Sequence, residues 1–285
     1  MKKIFKQLIR WMVSNKAVWF LLNKAILPPA RYADWMREKI TTTNKNVTST
    51  TPPSLALNTN KVLHGPFKGM TYQNDRFCCS AIPPKLLGSY EREIHHWIDE
   101  MLEKAYVGVV DVGCAEGYYA VGFATRMPNT PIFAYDINEQ AREQCRKLAE
   151  ANDVADKVHL RSYCDPDELA RVVDGRRFLV IADCEGYEKT LFNSRNRSAL
   201  ASSDILIEIH DFMDITILPQ LRELFAETHK IREVESIDDL RKLDRYNYPE
   251  LSGLDIKAKY HAIAEWRQRI MIWMYMEPKS LAPTV

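Results

Sequence analysis

Short apolar runs rich in β-branched residues recur along the chain and alternate with stretches in which apolar residues follow helical spacing. Runs of this length and composition are typical of strands that are covered on both faces. They predict strands at residues 107–112, 131–135, 157–163, 177–182, 204–209, 229–236 and 269–276. Helical spacing predicts helices at 91–104 (with Ser89 as its N-cap), from 118 onward, at 139–150 and at 215–228. Strands separated by helices form a mostly parallel sheet, so the pattern predicts an α/β fold with seven strands and helices on both faces.

The first 40 residues follow a different pattern. Lys2, Lys6 and Arg10 repeat at i, i+4 spacing, and the apolar residues fall largely on another face, which predicts an amphipathic helix over 2–27. Residues 1–40 carry nine Lys and Arg against two Asp and Glu. Two interpretations stay open: peripheral contact of residues 1–27 with an anionic membrane surface, or docking of the helix on protein. Deleting 1–40 and measuring liposome flotation separates them.

The chain therefore divides into a basic helical segment (1–40), a polar, Thr-rich linker (41–61) and a folded domain (62–285). A net charge of +1 gives no reason to expect a nucleic-acid partner. Lysines and an arginine interrupt the apolar runs near the start, which argues against a secretory signal and a spanning helix. Six cysteines without C-x-x-C spacing predict reduced thiols and a cytoplasmic protein, with peripheral contact at the inner membrane surface as the alternative.

The turn after the first strand carries the main functional signal. Residues 109–119 predict a strand, a tight turn at Gly113 and Gly117, and the start of a helix. A dinucleotide-binding turn reads G-x-G-x-x-G, whereas this turn reads G-x-A-x-G and adds the carboxylates of Asp111 and Glu116. Two carboxylates repel a pyrophosphate and attract a cation, which favours S-adenosylmethionine (SAM), with its sulfonium and ammonium groups. The alternative is an ordinary βα turn in which Glu116 is solvated.

Acidic residues also follow the other predicted strands, at the edge of the sheet where open α/β sheets bind ligands. Asp136 comes 25 residues after Asp111 and is placed to accept the ribose hydroxyls of an adenosyl group. Cys164 and Asp165 follow the third strand and are placed to meet the adenine, although Asp165 before Pro166 also suits a helix cap. Asp183 and Glu185 follow the fourth strand, and His210 and Asp211 follow the fifth.

Residues 111–117 and Asp136 resemble the class I SAM-dependent methyltransferases, and the resemblance extends over roughly residues 62–276. More narrowly, the D-C-E-G-Y-E stretch at 183–188, with I-L-I-E-I-H at 205–210, resembles the FkbM family of O-methyltransferases. Gly88-Ser89-Tyr90-Glu91 also resembles an element of that family, in which the glutamate lies near the cofactor; the first motif departs from the usual FkbM pattern. The resemblance implies a Rossmann-like methyltransferase fold, SAM as cofactor, and a hydroxyl acceptor on a sugar, glycan or natural product. The cofactor-binding residues expected are Glu91, Asp111, Gly113, Cys114, Ala115, Glu116, Gly117, Asp136, Ile137, Cys164, Asp165 and Asp183.

Methylation of a hydroxyl requires that its proton be removed, and His210, Asp183 and Glu185 are the candidate bases. His210 is favoured because an unperturbed imidazole titrates near neutrality; the alternative is a packed, hydrogen-bonded histidine. No metal is expected. The alternative is a magnesium ion at Asp183, His210 and Asp211, as in catechol-type methyltransferases, although one histidine is atypical for magnesium.

The acceptor is the least constrained part of the prediction. A long connection precedes the last strand, and Tyr246, Tyr248, His261, Trp266 and Arg267 within it are candidates for an acceptor pocket. The alternative is a helical cover that packs through Tyr260, Ile263 and Trp266. Two other functions stay open: a SAM-dependent enzyme that acts on a protein, lipid or phenol, and a non-catalytic Rossmann-like scaffold. The sequence predicts neither the identity of the acceptor nor the oligomeric state.

Overall fold

The computed structural model describes Leu57 and residues 59–72, 81–267 and 269–279. All of these belong to the second of the two units into which the chain divides, Pro53–Val285. The predicted amphipathic segment and almost all of the predicted linker lie outside the described residues, as do Cys78 and Cys79. Among the described helices, none is both long enough and apolar enough to cross a membrane.

The core is a seven-stranded sheet with the strand order β3-β2-β1-β4-β5-β7-β6. The strands are β1 Gly108–Val112, β2 Ile132–Tyr135, β3 Val158–Arg161, β4 Phe178–Ala182, β5 Asp204–Ile209, β6 His229–Glu235 and β7 Ile272–Pro278. The first five are parallel, and β7 lies antiparallel between β5 and β6. The predicted fold, a mostly parallel seven-stranded Rossmann-like sheet, is confirmed.

Helices cover both faces of this sheet. They are α1 Ile82–Leu87, α2 His95–Leu102, α3 Tyr118–Arg126, α4 Glu139–Ala151, α5 Pro166–Val173, α6 Glu188–Leu191, α7 Arg197–Leu200, α8 Ile217–Phe225, α9 Asp239–Arg245 and α10 Ile256–Ile263. Trp97 of α2 and Phe123 of α3 belong to one apolar cluster, and Leu169 of α5 and Leu221 of α8 belong to another. Every residue of β1, β4 and β5 is buried. Burial on both faces explains why these strands read as nearly uninterrupted apolar runs.

Several predicted boundaries differ from the structure, and two of them lie near the site. The helix expected from residue 91 begins with a short 3-10 turn, Arg92–Ile94, whose N-cap is Glu91, and the Ser89 hydroxyl instead donates to the carbonyl oxygen of Pro84 at 3.4 Å. The last strand begins at Ile272 rather than at residue 269. Ile272 pairs with Ile209, the last residue of β5, so the chain before it has no strand on that side to pair with.

The long connection before β7 is partly a helical cover. It contains α9, a 3-10 turn at Pro249–Leu251, and α10. Tyr246, Leu251 and Ile263 are buried there in a small apolar cluster with Leu87 of α1. Ile263 therefore packs as the helical alternative predicted, whereas Trp266 is 54% exposed.

Candidate functional site

The site begins where the strand order reverses. β1 pairs with β2 on one side and with β4 on the other, and all three run parallel. The chain leaves the carboxyl ends of β1 and β4 in opposite directions, which opens a crevice between them. The segments after β1, β2, β4 and β5 therefore meet at one edge of the sheet, as the sequence predicted.

The turn after β1 is fixed tightly against its neighbours. The backbone N–H groups of Gly113 and Cys114 both donate to the carbonyl oxygen of Tyr135, at 2.8 and 3.0 Å. Gly113 has a φ of +87°, and a Cβ on it would overlap the carbonyl oxygen of Asp183. Glycine is therefore required at this position both by its conformation and by the close approach of the chain after β4.

Asp136, which follows β2, is part of the same turn. Its Oδ2 accepts a hydrogen bond from the backbone N–H of Ala115 at 2.9 Å, and its Oδ1 accepts one from Asn138 at 2.8 Å. Burial raises the pKa of Asp136 above its ordinary value. Each carboxylate oxygen has a second lone pair, so Asp136 keeps capacity to accept ligand hydroxyls. The adjacent Ile137 is 76% exposed and lies on the outside of the turn.

Asp111 lies within β1 and is buried. Burial raises the pKa of Asp111 to about 7, although a hydrogen bond from the backbone of Ala120 lowers it. Its Oδ2 has no hydrogen-bond partner among the described residues. A buried carboxylate oxygen without a partner is costly, which makes Asp111 a candidate for contact with a ligand or a bound water.

Glu116 has a protein partner that the sequence did not suggest. Its carboxylate forms an ion pair with Lys85 of α1, and both side chains are buried. The Lys85 ammonium also lies 4.4 Å from the ring centre of Tyr90 and 5.1 Å from that of Tyr118. The cation that Glu116 contacts is therefore Lys85. Contact between Glu116 and the cofactor stays a prediction, and the solvated alternative is wrong.

Glu91 is also held by charged partners inside the protein. Arg267 forms ion pairs with Glu91, with Glu208 of β5 and, at 2.8 Å, with Glu265. The Tyr119 hydroxyl donates to the same Glu91 carboxylate. Burial raises the pKa of Glu91 to about 7 even though Arg267 lowers it. Arg267 thus joins the segment before α2 to β5 through two buried carboxylates.

On the expected adenine side, Asp165 acts as a helix cap. Its Oδ1 accepts a hydrogen bond from the backbone N–H of Glu168 at 2.7 Å, at the start of α5. Cys164 is buried beside it, and the exposed Tyr163 has its hydroxyl 2.9 Å from that of Tyr187. Contact of Cys164 and Asp165 with the adenine stays a prediction. The four described cysteines (Cys114, Cys145, Cys164 and Cys184) are free thiols.

The second part of the site surrounds His210, directly after β5. Its Nδ1 lies 2.7 Å from Oε1 of Glu188, which also accepts the backbone N–H of Gly186 at 3.0 Å. Its Nε2 faces Oδ1 of Asp183 at 3.5 Å, Oε2 of Glu185 at 3.7 Å and Oε2 of Glu208 at 3.9 Å. His210, Glu188 and Glu208 are buried, whereas Asp183 and Glu185 are partly exposed. The loop after β4 therefore supplies the open side of the cluster.

The charges of this cluster shift the pKa values of its members. Burial alone lowers the pKa of His210, but the hydrogen bond with Glu188 and the charge of Asp183 raise it to about 10. Burial raises the pKa of Asp183 to about 6 and that of Glu208 to about 8, against the lowering effect of neighbouring cations. The carboxylates around His210 therefore favour its charged form, which opposes the predicted role of His210 as a general base. Asp183 and Glu185 stay candidates for that role.

The residues with the spacing of a metal site differ from the predicted set. Ligand atoms of Asp183, Glu208 and His210 all lie within 4.8 Å of one another, and among the described residues this is the group that could hold an ion. Asp211, which the magnesium alternative included, does not belong to it. Its place is taken by Glu208.

Three residues of the site were missing from the predicted set: Glu188, Glu208 and Lys85. Glu208 interrupts the apolar run of β5 at a fully buried position, and that interruption was a usable signal. Glu188 belongs to the D-C-E-G-Y-E stretch, but nothing in the sequence showed that it would contact His210. No pattern in the sequence pointed to Lys85.

A cavity of about 380 Å³ lies beside Arg267, between the segment after β6 and the segment before β7. Its lining includes Asp239, Tyr260 and Arg269. Of the five residues predicted for an acceptor pocket, Arg267 lines this cavity, whereas Tyr246, Tyr248, His261 and Trp266 do not.

The chain matches no protein-family model, and no curated protein matches it. It is similar to a putative rRNA methylase from Clostridium thermocellum, with 14% identity and a TM-score of 0.43 over 67% of this chain and 96% of that chain. It is also similar to a SAM-dependent O-methyltransferase from Thermotoga maritima, with 13% identity and a TM-score of 0.42 over 64% and 63% of the two chains. A third solved structure is a precorrin-6y C5,15-methyltransferase from Geobacter metallireducens, with 16% identity and a TM-score of 0.40 over 62% and 85%.

Proposed function

We propose that the protein is a SAM-dependent methyltransferase that transfers a methyl group to a hydroxyl. The observation that carries this proposal is the arrangement of carboxylates at the reversal of strand order. Asp136 accepts a hydrogen bond from the turn after β1, and the buried Asp111 beneath that turn has an oxygen without a hydrogen-bond partner in the described part of the chain. Of the basic residues beside the turn, Lys85 is buried and already paired with Glu116, and Arg142 donates to the carbonyl oxygen of Asp136 at 2.7 Å. The site therefore suits a ligand that carries positive charge and no phosphate.

The residues of the turn fit the expected cofactor. Asp136 would accept the ribose hydroxyls, and the backbone of 113–115, which hydrogen bonds to Tyr135 and Asp136 hold in place, would lie against the cofactor. Cys164 and the exposed Tyr163 flank the side expected for adenine. SAM would supply an electrophilic methyl group to an oxygen of the acceptor. The chain's own residues hold that cofactor, orient the acceptor and receive its proton.

The FkbM-like stretch at 183–188 supports a hydroxyl acceptor. Its last residue, Glu188, fixes the orientation of His210, while Asp183 and Glu185 line the open side of the same cluster. Asp183 and Glu185, on this open side, are the carboxylates that would receive the proton of the acceptor. We infer that the acceptor is a hydroxyl of a sugar, glycan or natural product, bound on this open side.

Calorimetric titration with SAM, on the full chain, tests the proposal. Asp136→Ala removes a carboxylate that would accept ribose hydroxyls. Each hydrogen bond to a charged group contributes roughly 1.5–3 kcal/mol, so we expect SAM affinity to fall about 10- to 100-fold. Asp156→Ala, at an exposed position between α4 and β3, is the matched control and should bind SAM like the unmodified protein.

Two results would contradict the proposal. One is the absence of heat with SAM at millimolar concentration, which would favour a non-catalytic scaffold. The other is saturable binding of NAD in place of SAM, which would mean that the turn accepts a pyrophosphate. Melting curves of both variants show whether Asp136→Ala acts through the ligand or through the loss of its bond to Ala115.

A further inference from the structure

The Nε2 atom of His210 lies in an unusual environment. The side chain is only 4% exposed, and its orientation is fixed from the other side by the 2.7 Å contact between Nδ1 and Glu188. Around Nε2, carboxylate oxygens of Asp183, Glu185 and Glu208 lie at 3.5, 3.7 and 3.9 Å. All three distances exceed those of ordinary N–H···O hydrogen bonds, about 2.7–3.2 Å. A buried ring nitrogen therefore points at three carboxylates without a hydrogen bond of normal length to any of them.

The spacing is close to what a shared metal ion imposes. Nitrogen and oxygen ligands lie about 2.0–2.2 Å from a small divalent ion, so two ligands of one ion lie roughly 3.0–3.4 Å apart. The distance from Nε2 to Asp183, 3.5 Å, lies just above this range, and the 3.9 Å to Glu208 exceeds it by about half an ångström. Binding of an ion therefore requires a small shift of the Glu208 carboxylate toward Nε2, whereas Asp183, on the loop after β4, is already close.

The residues behind these three side chains match the usual support of a metal site. A histidine ligand generally directs its other ring nitrogen to a carboxylate, which fixes the ring, and Glu188 occupies that position. The two oxygens of the Glu208 carboxylate have different neighbours: Oε1 forms an ion pair with Arg267, and Oε2 faces Nε2 of His210. Arg267 thus holds Glu208 from outside the cluster and leaves one of its oxygens directed inward.

We propose that Asp183, Glu208 and His210 bind one divalent metal ion. One imidazole and two carboxylates suit Mn²⁺ or Zn²⁺ better than Mg²⁺, which is usually bound through oxygen alone. The role of the ion rests on the proposed function: at this place it would bind and polarise the acceptor hydroxyl. Ion binding itself requires neither SAM nor an acceptor, so it is measurable separately.

The experiment uses the full chain, stripped with EDTA and dialysed. MnCl₂ is titrated in, and free Mn²⁺ is measured by electron paramagnetic resonance; ZnCl₂ is then added as competitor. We expect one Mn²⁺ per chain, displaced by Zn²⁺. Asp183→Asn and His210→Ala should each weaken binding by at least tenfold, whereas His159→Ala, on the exposed side of β3, should leave it unchanged.

Absence of saturable Mn²⁺ and Zn²⁺ binding would overturn the proposal, and so would equal binding by the unmodified protein and the Asp183→Asn variant. If His210→Ala fails to fold, Asp183→Asn still tests the proposal, because Asp183 is partly exposed and its replacement disturbs the core less. A parallel SAM titration in EDTA separates the two proposals. Binding of SAM without metal binding leaves the methyltransferase proposal intact and refutes only the ion.

Discussion

Replacing Lys85 by methionine tests the most unexpected contact of the site. Lys85 and Glu116 are 3% and 0% exposed, so the substitution would leave the Glu116 carboxylate charged, buried and without its partner. Removing one member of a buried ion pair costs roughly 3–5 kcal/mol. At about 2–4 °C per kcal/mol for a domain of this size, we expect the melting temperature to fall by on the order of 10 °C.

The double variant Lys85→Met with Glu116→Gln distinguishes an internal pair from a ligand-binding acid. Removing both charges leaves no uncompensated carboxylate, so the double variant should recover most of the lost stability. If Glu116 acts mainly on Lys85, the double variant should also bind SAM within a fewfold of the unmodified protein. Scanning fluorimetry measures the first quantity, and calorimetry measures the second.

Two results would refute this reasoning. A double variant as unstable as Lys85→Met alone would show that the pair is not the source of the stability. A double variant that is stable but no longer binds SAM would show that Glu116 contacts the cofactor directly, as the sequence first suggested. Lys68→Met, at an exposed position, is a matched control that removes a lysine without breaking a buried pair.

Two further predictions concern the folded state. Burial and the charge of Glu265 raise the pKa of Glu93 to about 8, so folding takes up a proton and stability should fall as pH rises from about 4.5 to 8. Glu93→Gln should reduce the slope of that dependence in melting curves, to which Glu91, Asp111 and Glu208 also contribute, and a variant with the same slope as the unmodified protein would contradict it. Gly113→Ala should lower the free energy of unfolding by more than the roughly 1–3 kcal/mol of a strained backbone, because the added Cβ would overlap the carbonyl oxygen of Asp183. Gly175 has a φ of +68° and open space around it, so Gly175→Ala should lose only the stability that the strained backbone costs. Equal losses of stability in the two variants would show that overlap with Asp183 does not destabilise Gly113→Ala.

The sheet was predictable because each strand is a short apolar run and each connection has helical spacing. The start of β7 was misplaced because Ile270 and Met271 extend the apolar run toward its N-terminal side, whereas pairing with β5 begins only at Ile272. Ser89 looked like an N-cap by residue type, yet the chain turns at Glu91 instead. Local pattern therefore located the elements, while pairing between distant segments decided where they begin.

The chemistry of the site was less predictable for a related reason. The sequence placed the acids at the right edge, but it could not show which of them face one another. His210 was favoured as a base from the pKa of a free imidazole, and the contact with Glu188, 22 residues away, reverses that expectation. Lys85 changes the interpretation of Glu116 in the same way. Residue types indicated a ligand with positive charge, and the ion pairs within the protein determine which carboxylates are still free to meet it.

A crystal structure with SAM bound tests the central claim most directly. We predict the ribose hydroxyls at Asp136, the methionine moiety over the turn at 113–115, and the methyl group directed toward Asp183 and His210. Binding of SAM elsewhere, or a methyl group directed away from that cluster, would contradict the account.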